Sequence, residues 1–505
     1  MSDFKNNTVM TSLDYSNKSS TGSTYRYNRI FPESPVVLDL VSTSEARFSI
    51  PATVLNLSRS GVELSYLIPA TSAGTSSIMR TSNLPIQRIQ LISADNAVLV
   101  DIVNVQEYTK TVWPVATPVE KYLSMSKHDI LASNLAQCNQ VGEYYAPHGH
   151  EILGGTEVVW PATGDLKTAD WRSPLNNDGN SMYDELDLSD VDQSANNVAP
   201  SQEFIRSAVA TSQAVRGWID LGKIVHTFLS VDKSLYFNSN LTLVLTFARA
   251  SDMGFTSSAG AAVVYANADG TANTTITMAT AAHGSLASPT PLIVLPVIPS
   301  GGCILHLAVE SNRALAQTIK ETTLASGATV RFPYVYSYKR TLTAAGVTSQ
   351  LFNFNATHGR SLKIIYSSTF NPNQTGGGRL MHYNHGGLLY TEVASNVNSE
   401  PLSNETLSVA NGAVYRSLKN QLHGSCITNN KDWNQHACYF DNFSGMESAH
   451  KLASFPEHSN GVDLISELKY SLDYTTTVAN SILHVFAVTE KVLRISELAV
   501  NVTNG

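Results

Sequence analysis

The chain of 505 residues is long enough for two to four domains, and its 43% hydrophobic content excludes global disorder. Only 15% of the residues are charged, against roughly a quarter in an average soluble protein. Such a surface suits burial against copies of itself, because each charge buried at an interface must be desolvated. The net charge of −8, a sequence pI of about 6.0 and the lack of a basic run exclude a protein that coats nucleic acid by itself.

The polar residues 1–22 lack the apolar centre of a signal peptide and read as a flexible arm. Beyond them, short alternating runs bounded by Pro, Gly, Asn and Asp dominate, the pattern of an all-β sandwich or barrel. Residues 47–68 hold two such runs with a break near Ser58-Arg59-Ser60-Gly61. Residues 86–105 predict a hairpin turning at Asp95-Asn96, and the Trp113-Pro114 and Thr117-Pro118 steps end that region. Residues 143–200 are polar and acidic, with Asp165, Asp170, Asp178, Asp184, Glu185, Asp187, Asp190 and Asp192. A connection of that length reads as an insertion at one end of a barrel.

Residues 216–220 are extended, and Leu221, Val225 and Phe228 predict about two turns of amphipathic helix. Residues 241–247 predict a strand with Leu241, Leu243, Leu245 and Phe247 on one face. A boundary near the midpoint follows at 248–254. In the second half, residues 330–338, 351–354 and 361–370 read as strands, and 371–460 as a loop-rich insertion containing Gly376-Gly377-Gly378. Residues 468–496 supply closing strands, of which 482–489 is apolar on both faces and so central. The longest apolar stretch, 291–299, carries three prolines and is too short to span a bilayer. Four cysteines, Cys138, Cys303, Cys426 and Cys438, are too few for a disulfide framework and fit assembly in a reducing compartment.

An ordered set of segments resembles one family. It comprises residues 216–229 (RGWIDLGKIVHTFL), Leu235-Tyr236-Phe237 and residues 241–247, then Gly359-Arg360 leading to Tyr366. Glu400-Pro401-Leu402, residues 420–425, Tyr439 to Phe443 and residues 461–464 with the closing strands complete it. Together these are similar to the double jelly-roll major capsid proteins of tailless double-stranded DNA viruses, in the polinton-like, adintovirus and virophage branch. The resemblance spans roughly residues 25–496. It implies two tandem eight-stranded jelly-roll barrels with long loop insertions and a few short helices. The first would run over 23–248 and the second over 249–505, with towers built from 143–200 and 371–460. It further implies a trimeric, pseudo-hexameric capsomer of an icosahedral virion. The expected partners are sister copies, penton and minor capsid proteins, and an internal membrane or separate genome-binding proteins beneath the shell; no specific nucleic-acid binding is expected.

No catalytic, cofactor-binding or metal residue is assigned. His148 and His150 lack a third ligand nearby and read as a surface loop, while Cys426, His436 and Cys438 lack a paired CxxC and read as thiols near a loop. The run Asp184–Asp192 lacks a regular calcium-loop pattern and reads as a solvated face. Gly376-Gly377-Gly378 is followed by neither Lys-Ser/Thr nor a helix, so it is a turn and not a phosphate cradle. No nucleophile elbow is present. Asn-x-Ser triplets such as Asn56-Leu57-Ser58 carry no weight in a chain expected to stay inside the cell. The rival readings are a β-sandwich carbohydrate-binding protein or glycoside hydrolase, and a minor capsid or spike protein. Only five Trp are scattered along the chain, too few for aromatic sugar platforms, and Trp218 reads as core.

Overall fold

The computed structural model describes residues 24–37, 43–68, 77–80, 86–117, 204–207, 213–247, 256–257, 262–266, 272–277, 302–342, 349–355, 361–370, 390–398, 400–401, 407–408, 438–444, 449–454, 461–463, 467–474, 481–497 and 499–504. The arm 1–22, the acidic insertion 143–200 with His148 and His150, and the Gly376, Cys426 and His436 sites lie outside them.

Alternation in sequence becomes pairing in space. Along the first half run β1 (Tyr25–Ile30), β2 (Ser44–Ile50), β3 (Val54–Ile68), β4 (Ile86–Ser93), β5 (Val98–Val103), β6 (Gln213–Asp220), β7 (Leu241–Phe247) and β8 (Cys303–Glu310). They form two sheets, in the orders β1-β8-β3-β6 and β2-β7-β4-β5. The second half repeats the scheme with β9 (Ala328–Leu342), β10 (Ser349–Asn355), β11 (Ser361–Phe370), β12 (Tyr390–Val397), β13 (Glu400–Pro401), β14 (Cys438–Asn442), β15 (Glu467–Tyr474) and β16 (Ser481–Ile495). Its sheets are β9-β16-β11-β14 and β10-β15-β12-β13. Counted from its own first strand, each half therefore reads 1-8-3-6 and 2-7-4-5, the order of a jelly roll. A final strand, β17 (Val500–Asn504), pairs with the end of β16.

Several expectations hold residue for residue. In β7 the side chains of Leu241, Leu243, Leu245 and Phe247 are buried, as the alternation requires, and the strand lies between β2 and β4. The β4–β5 hairpin turns where Asn96 takes a left-handed φ of 60°, with its N–H donating to the Ser93 carbonyl at 2.9 Å. Strand β16 lies between β9 and β11, and from Leu483 to Thr489 every residue is buried. Both faces are covered, so both had to be apolar.

Others are corrected. The break expected at Ser58–Gly61 is a bulge within one strand, and the true interruption is Pro51–Thr53. Gly61 pairs with His306 but Asn56 with Ala308, so residues 57–60 stand opposite Leu307 alone. Ser60 bridges the gap, its hydroxyl donating to the Asn56 carbonyl at 2.8 Å and accepting from the Ala308 N–H at 2.9 Å. The amphipathic helix expected across Leu221–Phe228 is two 3-10 turns, Leu221–Lys223 and Phe228–Ser230. Between them His226 has φ of 56°, which no continuing right-handed helix permits. The three apolar residues are nevertheless buried. Strand β8 lies well beyond residue 248 and pairs with β1 and β3, within the first sheet.

The described residues also include helices: α1 (Val105–Thr111), α2 (Trp113–Ala116), α3 (Arg313–Ser326) and α4 (Ala449–Ser454). The longest, α3, joins the two halves. Asn312 caps its first turn through the Leu315 N–H, and Gly327 ends it at φ 72°.

Candidate functional site: the seam between the two halves

Among the described residues no group of three or more His, Cys, Asp or Glu side chains is placed to hold a metal, and no helix is long and apolar enough to cross a membrane. Cys303 is a buried, free thiol that burial pushes up to about 12. Asn56 of the Asn-Leu-Ser triplet is buried and donates to Asp232 at 2.8 Å and to the Tyr25 hydroxyl at 3.1 Å. Burial alone would raise Asp232. Hydrogen bonds from Arg59, Asn56 and Ser58 outweigh it and hold the carboxyl below its ordinary value. The cluster ties β1 and the β3 bulge to the segment after the second 3-10 turn.

The most developed constellation is the contact between the halves, whose buried residues form one continuous core. From the first half come β5, α1 and the 3-10 turns; from the second come β9, β16 and β11. Proline at the start of α2 and the left-handed Asn104 before α1 fold the chain after β5 back on itself. Tyr108 is thereby buried, donating to the Val225 carbonyl and meeting the Phe486 ring edge-on at 5.6 Å. Trp113 Nε1 donates to the Lys223 carbonyl at 2.8 Å, which anchors the 3-10 segment. Phe228 then meets Phe332 edge-on at 5.1 Å.

Polar pairs cross the seam as well. Thr111 and Ser368 share a buried hydroxyl–hydroxyl bond of 2.8 Å, and His226 Nε2 lies 2.8 Å from the Tyr366 hydroxyl. Burial, with Lys363 nearby, lowers His226 to about 3, so the ring is neutral. Its Nδ1 has no hydrogen-bond partner among the described residues. At the rim, Asn238 Nδ2 donates to the Ser496 and Glu497 carbonyls, and Asp95 accepts from the Val500 N–H at 2.9 Å. Beside the seam, Lys363 Nζ is buried 2.8 Å from Glu490, whose other oxygen is 3.6 Å from Arg331.

Trp218 is not core. It is half-buried on the outer face of the first sheet, with its ring laid over Gly61, where a Cβ would stand 2.1 Å from the indole. The neighbouring His306 is 2.9 Å from Glu63 and tilted against the same ring.

None of this arrangement aligns a nucleophile, a base and an oxyanion site. What it builds is a two-lobed body with one strand order used twice, and that defines a tandem jelly-roll protein. Comparison with solved structures places it further. Over 97% of this chain and 99% of the other, the VP54 protein of PBCV-1, fitted into a reconstruction of the virophage Sputnik, superposes with a TM-score of 0.52 at 8% identity. The PBCV-1 virus capsid gives 0.49 at 8% identity, covering 97% of this chain and 99% of that one. The mavirus major capsid protein gives 0.45 at 11% identity, covering 96% and 92%. No family model and no curated protein sequence matches. The likeness to VP54 defines the fold as the double jelly roll.

Proposed function

We propose that this chain is the major capsid protein of an icosahedral double-stranded DNA virus, a structural and non-enzymatic component of the virion. The observation that carries the reading is the strand order 1-8-3-6 and 2-7-4-5, present twice in one chain and joined by a buried seam. Two similar lobes in one subunit let three subunits present six, which fills a hexagonal lattice with a single kind of protein. The low charge fraction, 15%, supports the same reading, since extensive contact with sister copies penalises every charge desolvated. The division of the chain proposed here is 24–310 for the first roll and 328–505 for the second, with α3 between them. The expected insertion 371–460 contributes β12, β13 and β14 to the sheets of the second roll, so only its connections 371–389 and 409–437 join 143–200 as proposed outward towers, with penton and minor capsid proteins proposed as partners at the vertices. The same fold likeness supports virion localisation.

Light scattering on the purified protein tests the assembly. A species at three times the 54.6 kDa chain mass, and hexagonal tiles in electron micrographs, are the expected results. A chain that stays monomeric up to capsid-like concentrations overturns the reading.

A further inference from the structure

The seam holds an imidazole whose surroundings suit one protonation state. His226 stands between the two 3-10 turns in the left-handed region and is wholly buried, with the second half against it. Its Nε2 meets the Tyr366 hydroxyl at 2.8 Å, while Nδ1 is buried with no hydrogen-bond partner among the described residues. A neutral ring leaves one polar atom unmet there. A charged ring carries N–H on both nitrogens, and the second finds no acceptor. The titratable and charged groups around the ring offer no counter-charge. From β11 come Tyr366 and Lys363, and from α1 comes Tyr108, whose hydroxyl is given to the Val225 carbonyl beside His226. From β16 come His484, buried opposite Ser368, and Glu490, which is engaged by Lys363 at 2.8 Å and by Arg331 of β9 at 3.6 Å. On its own segment Lys223 is paired with Asp220 at 3.5 Å. Lys363 acts on the ring as a like charge, against protonation.

We propose that His226 is an acid-operated catch on the seam: a proton taken up at Nδ1 converts the closed contact between the halves into an opened one, while each jelly roll stays folded. The contacts that part are clustered around the ring. They are His226 with Tyr366, Thr111 with Ser368, Tyr108 with Phe486 and Phe228 with Phe332. None of these residues takes part in the rim bonds from Asn238 to Ser496 and Glu497 or from Val500 to Asp95, nor in the α3 connection. Those links therefore tether the halves as the seam loosens. Opening lets water reach the ring and satisfy both of its N–H groups, which the closed seam does not. The closed ring is held near 3, whereas an imidazole in water titrates at about 6.5. Acid thus favours the opened arrangement, whose share at pH 5 is about thirtyfold larger than at pH 7.5. This inference concerns the single chain and does not depend on the self-assembly reading above.

Hydrogen exchange of the full chain, read by mass spectrometry at pH 5 and pH 7.5 and normalised to the intrinsic rate at each pH, tests the catch. Residues 105–117 and 221–230 are expected to exchange up to about thirtyfold faster at pH 5. Residues 241–247, inside the first roll, keep their protection. His226→Asn, which suits the left-handed backbone and does not titrate, loses the acid response. No response in the parent, a response in His226→Asn equal to the parent's, or equal loosening of 241–247 overturns the proposal. A lock that keeps His226 in place gives a test independent of how that variant folds. The Thr111 and Ser368 hydroxyls are 2.8 Å apart, so Thr111→Cys with Ser368→Cys closes the seam by a disulfide on oxidation. The oxidised form is expected to show no acid response at 221–230 and the reduced form to regain it. Acid loosening of 221–230 that persists with the disulfide closed overturns the proposal as well.

Discussion

Replacing Glu490 by leucine and Lys363 by methionine, singly and together, has an asymmetric outcome that the geometry dictates. Lys363 has 1% of its side chain exposed and its Nζ is 2.8 Å from Glu490. Glu490 sits nearer solvent and keeps Arg331 at 3.6 Å, on a side chain that is itself mostly exposed. Glu490→Leu therefore leaves a buried ammonium without its carboxylate, at a cost of about 3–5 kcal/mol. Lys363→Met leaves a carboxylate that still has Arg331 and some water, so its cost is about 1–2 kcal/mol. The double variant places two apolar side chains of suitable length in contact and returns to within about 1 kcal/mol of the parent. For a unit the size of the second half, the larger single effect lowers its melting transition by on the order of 10 °C. Scanning calorimetry of all four chains reads the cycle. Equal shifts for the two single variants, or a double variant that melts at the sum of both losses, refute the reasoning.

The remaining outcomes are as direct. His226 is held neutral in the fold, near pKa 3, whereas the unfolded ring titrates at about 6.5. Its stability contribution is therefore complete above pH 6.5 and is lost as pH falls towards 3, by about 5 kcal/mol in all; denaturation midpoints from pH 7 to 4 should drop more steeply in the parent than in His226→Gln. Gly61→Ala drives a Cβ into the Trp218 ring and lowers stability by about 1–3 kcal/mol, a loss that shrinks in a Trp218→Leu background measured by urea unfolding. Cys303, buried and pushed up to about 12, should ignore a thiol reagent at pH 8 in the native protein and react after denaturation; prompt native labelling at Cys303, located by mass spectrometry, contradicts that burial.

How far the sequence reveals this molecule depends on whether the deciding interaction is local. Strand β7, the β4–β5 hairpin and the central β16 are legible because each declares itself within ten or fifteen residues, by alternation, a turn dipeptide or an apolar run. Helix α3 carries local signals too, in Asn312, Gly327 and the spacing of Leu315, Ile319 and Thr323, but the β patterns on either side mask them. The membership of β8 in the first half is not legible. It pairs with β1 and β3 across roughly 240 residues or more, and nothing around Cys303 declares those partners. The same holds for the seam, since Thr111 with Ser368 and His226 with Tyr366 are ordinary residues until folding brings them together. The false helix at Leu221–Phe228 shows the converse: correct burial at helical spacing, overruled by one left-handed residue.

The polar pairs of the seam match what a contact inside one chain must do. The halves of one chain are held close by α3 and its flanks, so their encounter needs no affinity of its own, but many relative orientations are sterically available. Buried hydroxyl and imidazole bonds resolve that ambiguity, because a misaligned pair leaves a desolvated polar group costing about 1–3 kcal/mol. Two separate chains face the opposite requirement. They must gain enough on contact to offset lost translational and rotational freedom, and aromatic area supplies that most directly. His226, Tyr366, Thr111 and Ser368, paired deep in the seam, therefore suit a contact made within the chain.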